Sequence, residues 1–152
     1  MAIYVAMNLG TFAFILLMQK DGAPVTDITL LNMYAKTNPG RALAMLVLLF
    51  SLAGVPPMLG FFGKFFVLRA AVEADMAWLA IAGVIASVIG AYYYLRIVFF
   101  MYFGSEGDDV ETSRSPVLLA FFTVGAALML VGVITTFGLE GAAASAAAML
   151  VN

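Results

Sequence analysis

One residue stands out as able to do chemistry: Lys64, the only charged residue between Ala42 and Leu68. A few positions upstream the same apolar stretch is interrupted by Gly54-Val55-Pro56-Pro57. An ionisable side chain in the hydrocarbon of a bilayer costs about 3 kcal/mol on insertion scales and is kept, as a rule, for function. A helix broken at that depth frees backbone groups that lipid cannot hydrogen-bond. Such breaks occur where they are buried in protein or line a wet cavity. A broken helix with a lysine on it therefore reads as part of an ion-transport pathway. An ammonium taken out of water can give up and regain a proton in the physiological range. Lys64 lies roughly 10 Å along a helix from Pro57, which places it toward the non-cytoplasmic side of a break near mid-membrane. The competing reading is a lysine that snorkels to the surface or pairs with a carboxylate for packing.

The break has its own chemistry. Pro56 and Pro57 carry no N–H, so carbonyls upstream lose their helical donors and become free to coordinate water or a cation. The half-helix after Pro57 points its partly positive N-terminus into the break. A plain proline kink is the alternative. Gly60 and Gly63 flank Lys64 and leave room for another backbone. Arg96 follows Tyr92-Tyr93-Tyr94-Leu95. It reads either as an arginine snorkelling to headgroups beside an aromatic belt, or as half of an ion pair with a neighbouring subunit or with an acid of the Glu106 to Glu111 loop. Asn8, Thr11 and Ser51 read as hydrogen-bonding groups between helices. Gly83, Ser87 and Gly90 read as a close-packing face.

The elements that must position these residues follow from composition. The chain has 152 residues, of which 64% are hydrophobic and 11% charged, and its mean hydropathy is +1.08. Soluble domains carry roughly 25% charged residues, so the chain reads as an integral membrane protein in contact with the lipid bilayer. Histidine and cysteine are absent, so no metal or cofactor site is expected in this chain. A net charge of −2 argues against nucleic acid, which wants a basic face. Spanning helices need about 20 apolar residues. Four runs come near that: 1–18, 42–71 with its break at Gly54 to Pro57, 76–103 and 117–139. The expected fold is all-α, a single transmembrane domain over residues 1–152 with about four spans, the second one broken. Loops one and three hold Lys20, Lys36, Arg41 and Arg114, whereas the other side holds Arg69. The positive-inside rule makes the first side cytoplasmic and the C-terminus periplasmic. The first run begins abruptly in apolar sequence, which suggests a chain cut from something longer.

The segment Ser51-Leu52-Ala53-Gly54-Val55-Pro56-Pro57-Met58-Leu59-Gly60-Phe61-Phe62-Gly63-Lys64-Phe65 resembles the broken-helix motif of the antiporter-like membrane subunits of respiratory NADH-quinone oxidoreductase, complex I. Within that family it is most similar to the subunit N branch, and the ending Gly90-Ala91-Tyr92-Tyr93-Tyr94-Leu95-Arg96 and Asn8-Leu9-Gly10 fit the same branch. The resemblance runs from Met1 to about Leu139. It implies the C-terminal part of a larger proton-translocating subunit in a bacterial inner membrane, hetero-oligomeric with the other membrane-arm subunits. Lys64 would be a proton relay on its central polar axis, with Gly54, Pro56, Pro57, Gly60 and Gly63 as the hinge. NADH oxidation, FMN, iron–sulfur clusters and quinone would belong to other subunits. The rivals are a subunit of a multi-subunit sodium/proton antiporter or membrane-bound hydrogenase, and a structural membrane scaffold.

Overall fold

The computed structural model describes residues 2–20, 23–24, 27–56, 58–104, 111–112 and 115–132. Its helices are α1 (Ala2–Leu17), α2 (Tyr34–Thr37), α3 (Pro39–Ala53), α4 (Leu59–Glu73) and α5 (Ala77–Phe103), followed by α6 (Pro116–Gly132). A short 3-10 helix, Ile28–Leu31, precedes α2. The third expected run differs from α5 by one residue at its start. The second is divided into α3 and α4 where the glycine and prolines put the break. The fourth is described as far as Gly132, and the Ala-rich tail lies outside the described residues.

Length separates these helices. At 27 residues, α5 extends about 40 Å and is apolar enough to cross a membrane. Helices α1, α3 and α6 are shorter apolar helices. With 15 residues each, α3 and α4 are about 22 Å long, less than the roughly 30 Å hydrocarbon core. Neither half alone reaches across.

α3 is the central element and packs on α1, α2, α4 and α5. Its buried residues include Ala42, Met45, Leu48, Leu49 and Leu52, a three-and-four spacing that gives one wide apolar face. Pro39 sits in its first turn, where a missing N–H costs no helical bond. Phe14 of α1 joins the core to its neighbours. Its ring meets Tyr34 edge-on at 5.7 Å between centroids and Phe122 of α6 at 5.1 Å. The helices α1 and α6 cross at two glycines: a Cβ on Gly125 would stand 3.2 Å from the Gly10 Cα.

A small sheet adds to the all-helical expectation. β1 (Met18–Lys20) pairs antiparallel with β2 (Ala23–Pro24) and with β3 (Glu111–Thr112), in the order β2-β1-β3. Gln19 lies opposite both Pro24 and Glu111. β1 follows α1 and β3 follows α5, so the first and third loops meet on one end of the bundle. At that end Asp27 caps the 3-10 helix by accepting from the Thr29 N–H at 2.9 Å, which holds its carboxyl below the usual carboxylate range. The Met33 N–H bonds the Phe100 carbonyl at 3.0 Å and ties this turn to the end of α5.

The outer faces are apolar. Trp78, Val88 and Phe103 of α5 and Val67 of α4 are each at least two-thirds exposed, a surface suited to lipid or to further helices and not to water. Packing at the glycine crossing makes a simple test. Gly125→Leu should push α6 off α1 and lower stability by about 1–3 kcal/mol, read as a lower thermal unfolding midpoint in detergent. An unchanged midpoint would refute the crossing.

Candidate functional site

The break between α3 and α4 begins as a backbone accounting problem. A helix end leaves its last four carbonyls without helical donors. For α3 these are Phe50, Ser51, Leu52 and Ala53, of which Phe50 still receives the Gly54 N–H at 3.0 Å, a bond that Gly54 shares with Ser51. Gly54 turns the chain with φ +83°, a left-handed conformation that glycine adopts without steric cost. The turn sends the Val55 N–H to the Phe50 carbonyl at 3.0 Å and the Gly54 N–H to the Ser51 carbonyl at 3.1 Å. This pair of bonds is a Schellman motif. Helical continuation would have brought the N–H groups of residues 56 and 57 to Leu52 and Ala53. Both residues are proline and have no N–H to give.

Lys64 supplies the missing donors. Its Nζ donates to the Leu52 carbonyl at 2.8 Å and to the Ala53 carbonyl at 3.1 Å. The side chain is half-buried, and its methylene stem lies against Gly54, where a Cβ would stand 3.1 Å from the Lys64 Cδ. A helical side chain leans toward the N-terminus of its own helix, so a long lysine on the second turn of α4 reaches back to the break. This corrects one expectation: the ammonium sits at the break and not beyond it. The carbonyls freed by the prolines each accept one bond from the lysine.

The start of α4 is closed from the opposite direction. The Gly60 N–H, one of the orphan donors of the first turn, bonds the Ser51 Oγ at 3.1 Å. The Ser51 hydroxyl in turn donates to the Met129 Sδ of α6 at 3.3 Å. Ser51 is fully buried. A Cβ on Gly60 would overlap the Ser51 carbonyl, so glycine is what allows the two half-helices to touch.

The remaining expected residues divide. Pro56 lies in the turn, and Pro57 lies outside the described residues. At Gly63 nothing among the described residues comes within 4 Å of a Cβ built there. Among the described residues Asn8 and Thr11 make no bond between helices. Each donates back within α1, to the Tyr4 carbonyl at 2.8 Å and the Met7 carbonyl at 2.9 Å. Gly83 does receive Leu68 of α4. Arg96 is exposed, with its guanidinium 5.7 Å from the centre of the Phe100 ring. Among the described residues no carboxylate pairs with Arg96 or with Lys64, and the ion pair present, Arg69–Glu73 at 2.7 Å, is on the surface of α4. The loop residues 105–110 and Arg114 lie outside the described residues. A cavity of about 360 Å³ lies between α1, α3 and α5, with Asn8, Thr11, Asp27, Leu52 and Tyr94 among the residues that line it. Among the described residues no cluster of acids could hold a metal ion.

The geometry defines an apolar helical protein with a broken helix whose ends are closed by a lysine and a serine. Residues 1–90 match the family described as NADH:quinone oxidoreductase/Mrp antiporter, transmembrane, and the chain belongs to that family. Its relatives include NADH-quinone oxidoreductase subunit N of Rhodobacter capsulatus, 58% identical over the whole of this chain and 32% of the relative. Subunit N of Jannaschia sp. (strain CCS1) is 54% identical, over all of this chain and 32% of the relative. The chain thus spans about a third of the length of these relatives. Its fold matches a chain in the structure of respiratory complex I from Thermus thermophilus with bound aureothin, with a TM-score of 0.72 and 24% identity over 88% of this chain and 30% of that one.

The contacts separate the two glycines sharply. Gly60→Ala should force α4 away from Ser51 and lower stability by about 3 kcal/mol or more, as overpacking against rigid backbone does. Gly63→Ala should be neutral or stabilising by up to about 1 kcal/mol through helix propensity. Thermal unfolding of the two variants checks the ranking, and equal effects would contradict the geometry.

Proposed function

We propose that this chain is part of a proton-translocating membrane-arm subunit of NADH:quinone oxidoreductase, and that Lys64 is a proton relay within it. The relatives named subunit N support the assignment to that complex. The whole subunit works with other membrane-arm subunits in a bacterial inner membrane. FMN, iron–sulfur clusters and quinone act in other subunits, and this chain carries no redox chemistry of its own. Its four spans are α1, the broken pair α3–α4, α5 and α6, with the C-terminus periplasmic.

The observation that carries the reading is the pair of bonds from Lys64 Nζ to Leu52 and Ala53. An ammonium has three N–H groups and a neutral amine has two. Two are committed to carbonyls, which leaves the third for exchange. The lysine can therefore release and regain one proton while both carbonyls keep a donor. The break stays closed in either protonation state, and the relay costs no unpaired backbone group. A cavity that Leu52 helps to line lies on the α3 side of the break.

The same two bonds also favour a second reading, in which Lys64 is only a structural cap in a membrane scaffold. Arginine separates them, because it carries donors for the carbonyls but does not deprotonate in proteins. In the full-length subunit, Lys64→Arg should assemble and yet lose NADH-driven proton translocation by at least about tenfold, within the range of a lost proton-transfer group. Lys64→Met should lose translocation and also weaken assembly, since each carbonyl left unpaired costs about 1–3 kcal/mol. Acidification of membrane vesicles beside NADH-quinone turnover, with assembly followed on native gels, gives both readouts. A Lys64→Arg complex that assembles and pumps normally would leave the lysine a cap alone.

A further inference from the structure

The two half-helices exchange caps. Lys64 of α4 closes the C-terminus of α3, and Ser51 of α3 closes the N-terminus of α4. The two contacts bracket the break and oppose each other geometrically. One fixes how far the lysine must reach, and the other fixes where its helix starts.

We propose that Ser51 is a positioning residue for Lys64: its hydroxyl holds the first turn of α4 at the depth and rotation from which Nζ meets the Leu52 and Ala53 carbonyls together. Three observations carry this. Ser51 is the one buried polar residue of the described core. Its Oγ is bonded on both sides, accepting from Gly60 and donating to Met129, so α3, α4 and α6 are pinned at a single atom. Gly60 touches the Ser51 backbone so closely that no other side chain fits, and Lys64 lies one helical turn beyond it on the same face. A shift at Gly60 is therefore passed to Lys64 through rigid helix. Without the hydroxyl, the Gly60 N–H lacks a partner in a site closed to water, and α4 is free to rotate or withdraw. Nζ then holds one carbonyl or neither.

The role of Ser51 bears on proton transfer only if the relay reading of Lys64 is right, so the test reads the lysine directly. Complexes carrying Ser51→Ala, Ser51→Cys or Ser51→Thr in the full-length subunit are treated in membranes with a membrane-permeant amine-acylating reagent. Acylation at Lys64 is followed by peptide mass spectrometry. Ser51→Cys keeps the bulk and offers only a weak sulfur acceptor, which covers the case in which Ser51→Ala fails to assemble. Release of Nζ from its carbonyls should raise Lys64 acylation about fivefold in the Ala and Cys variants, the order expected for loss of one helix cap. Ser51→Thr, which keeps the hydroxyl, should remain near the parent. Parent-like labelling in both the Ala and Cys variants overturns the proposal, as does a rise in Ser51→Thr equal to that in Ser51→Ala. If Lys64→Arg pumps normally while the labelling rises as expected, Ser51 still positions Lys64 and the relay reading alone falls.

Discussion

In a medium without water, every backbone donor and acceptor must find its partner within the protein. At the α3–α4 break this constraint governs nearly every residue choice. Four carbonyls need donors at the end of α3. The left-handed turn at Gly54 delivers two, and the prolines withhold the other two. Lys64 returns them from the second turn of the next helix. An unmade bond at such a site costs about 1–3 kcal/mol per group. Two such losses would be a sizeable part of the 5–15 kcal/mol that keeps a typical domain folded. Glycine at 54, glycine at 60 and a buried serine at 51 are what remain once Lys64 is set at the break.

The choice of lysine at this position follows from what other side chains would do there. Methionine could fill the space but would leave both carbonyls bare. Arginine could bond the carbonyls but would hold its proton. Lysine alone among the twenty side chains combines a flexible stem, enough donors for two carbonyls in both protonation states, and a proton that can leave. The prolines serve the same end. They remove the backbone N–H groups that would otherwise saturate Leu52 and Ala53, and so create the site the lysine fills. A simple kink needs only one proline, and this break has two in succession.

Much of this was legible in the residues before any coordinates. Apolar runs bounded by charge and glycine located the helices closely, because length and composition are local properties. The break itself followed from Gly54 and the prolines. The partners of Lys64 were missed, although the clue was present: four positions back from Pro56 and Pro57 stand Leu52 and Ala53. Combining that spacing with the backward lean of helical side chains points to the bond. Ser51 was read as a contact between helices, which it makes, but its bond to Gly60 depends on how α4 folds back and is not a property of spacing. Gly63 differs from Gly60 because the helix turns its position away from α3, which leaves open space there among the described residues. Asn8 and Thr11 misled for a local reason. A polar side chain in an apolar helix can satisfy itself on its own backbone four residues back, and nothing in the pattern distinguishes that from a bond to a neighbour.

The faces turned away from the core say what the chain still needs. Helix α5 exposes Trp78 near its start and Tyr92 and Tyr93 about four turns further on. From Trp78 to Arg96 the helix rises about 27 Å, close to the roughly 30 Å of a bilayer hydrocarbon core. An indole at one boundary and tyrosines with an arginine at the other fit the two headgroup levels. Among the described residues Arg96 has no carboxylate partner, and its guanidinium rests over the Phe100 ring. Lys64 has the opposite environment. It has no boundary to reach and no acid among the described residues, so it turns inward to backbone carbonyls. The cations of the helices thus differ in their partners: Arg69 pairs with Glu73, Arg96 rests over an aromatic ring, and Lys64 closes the break.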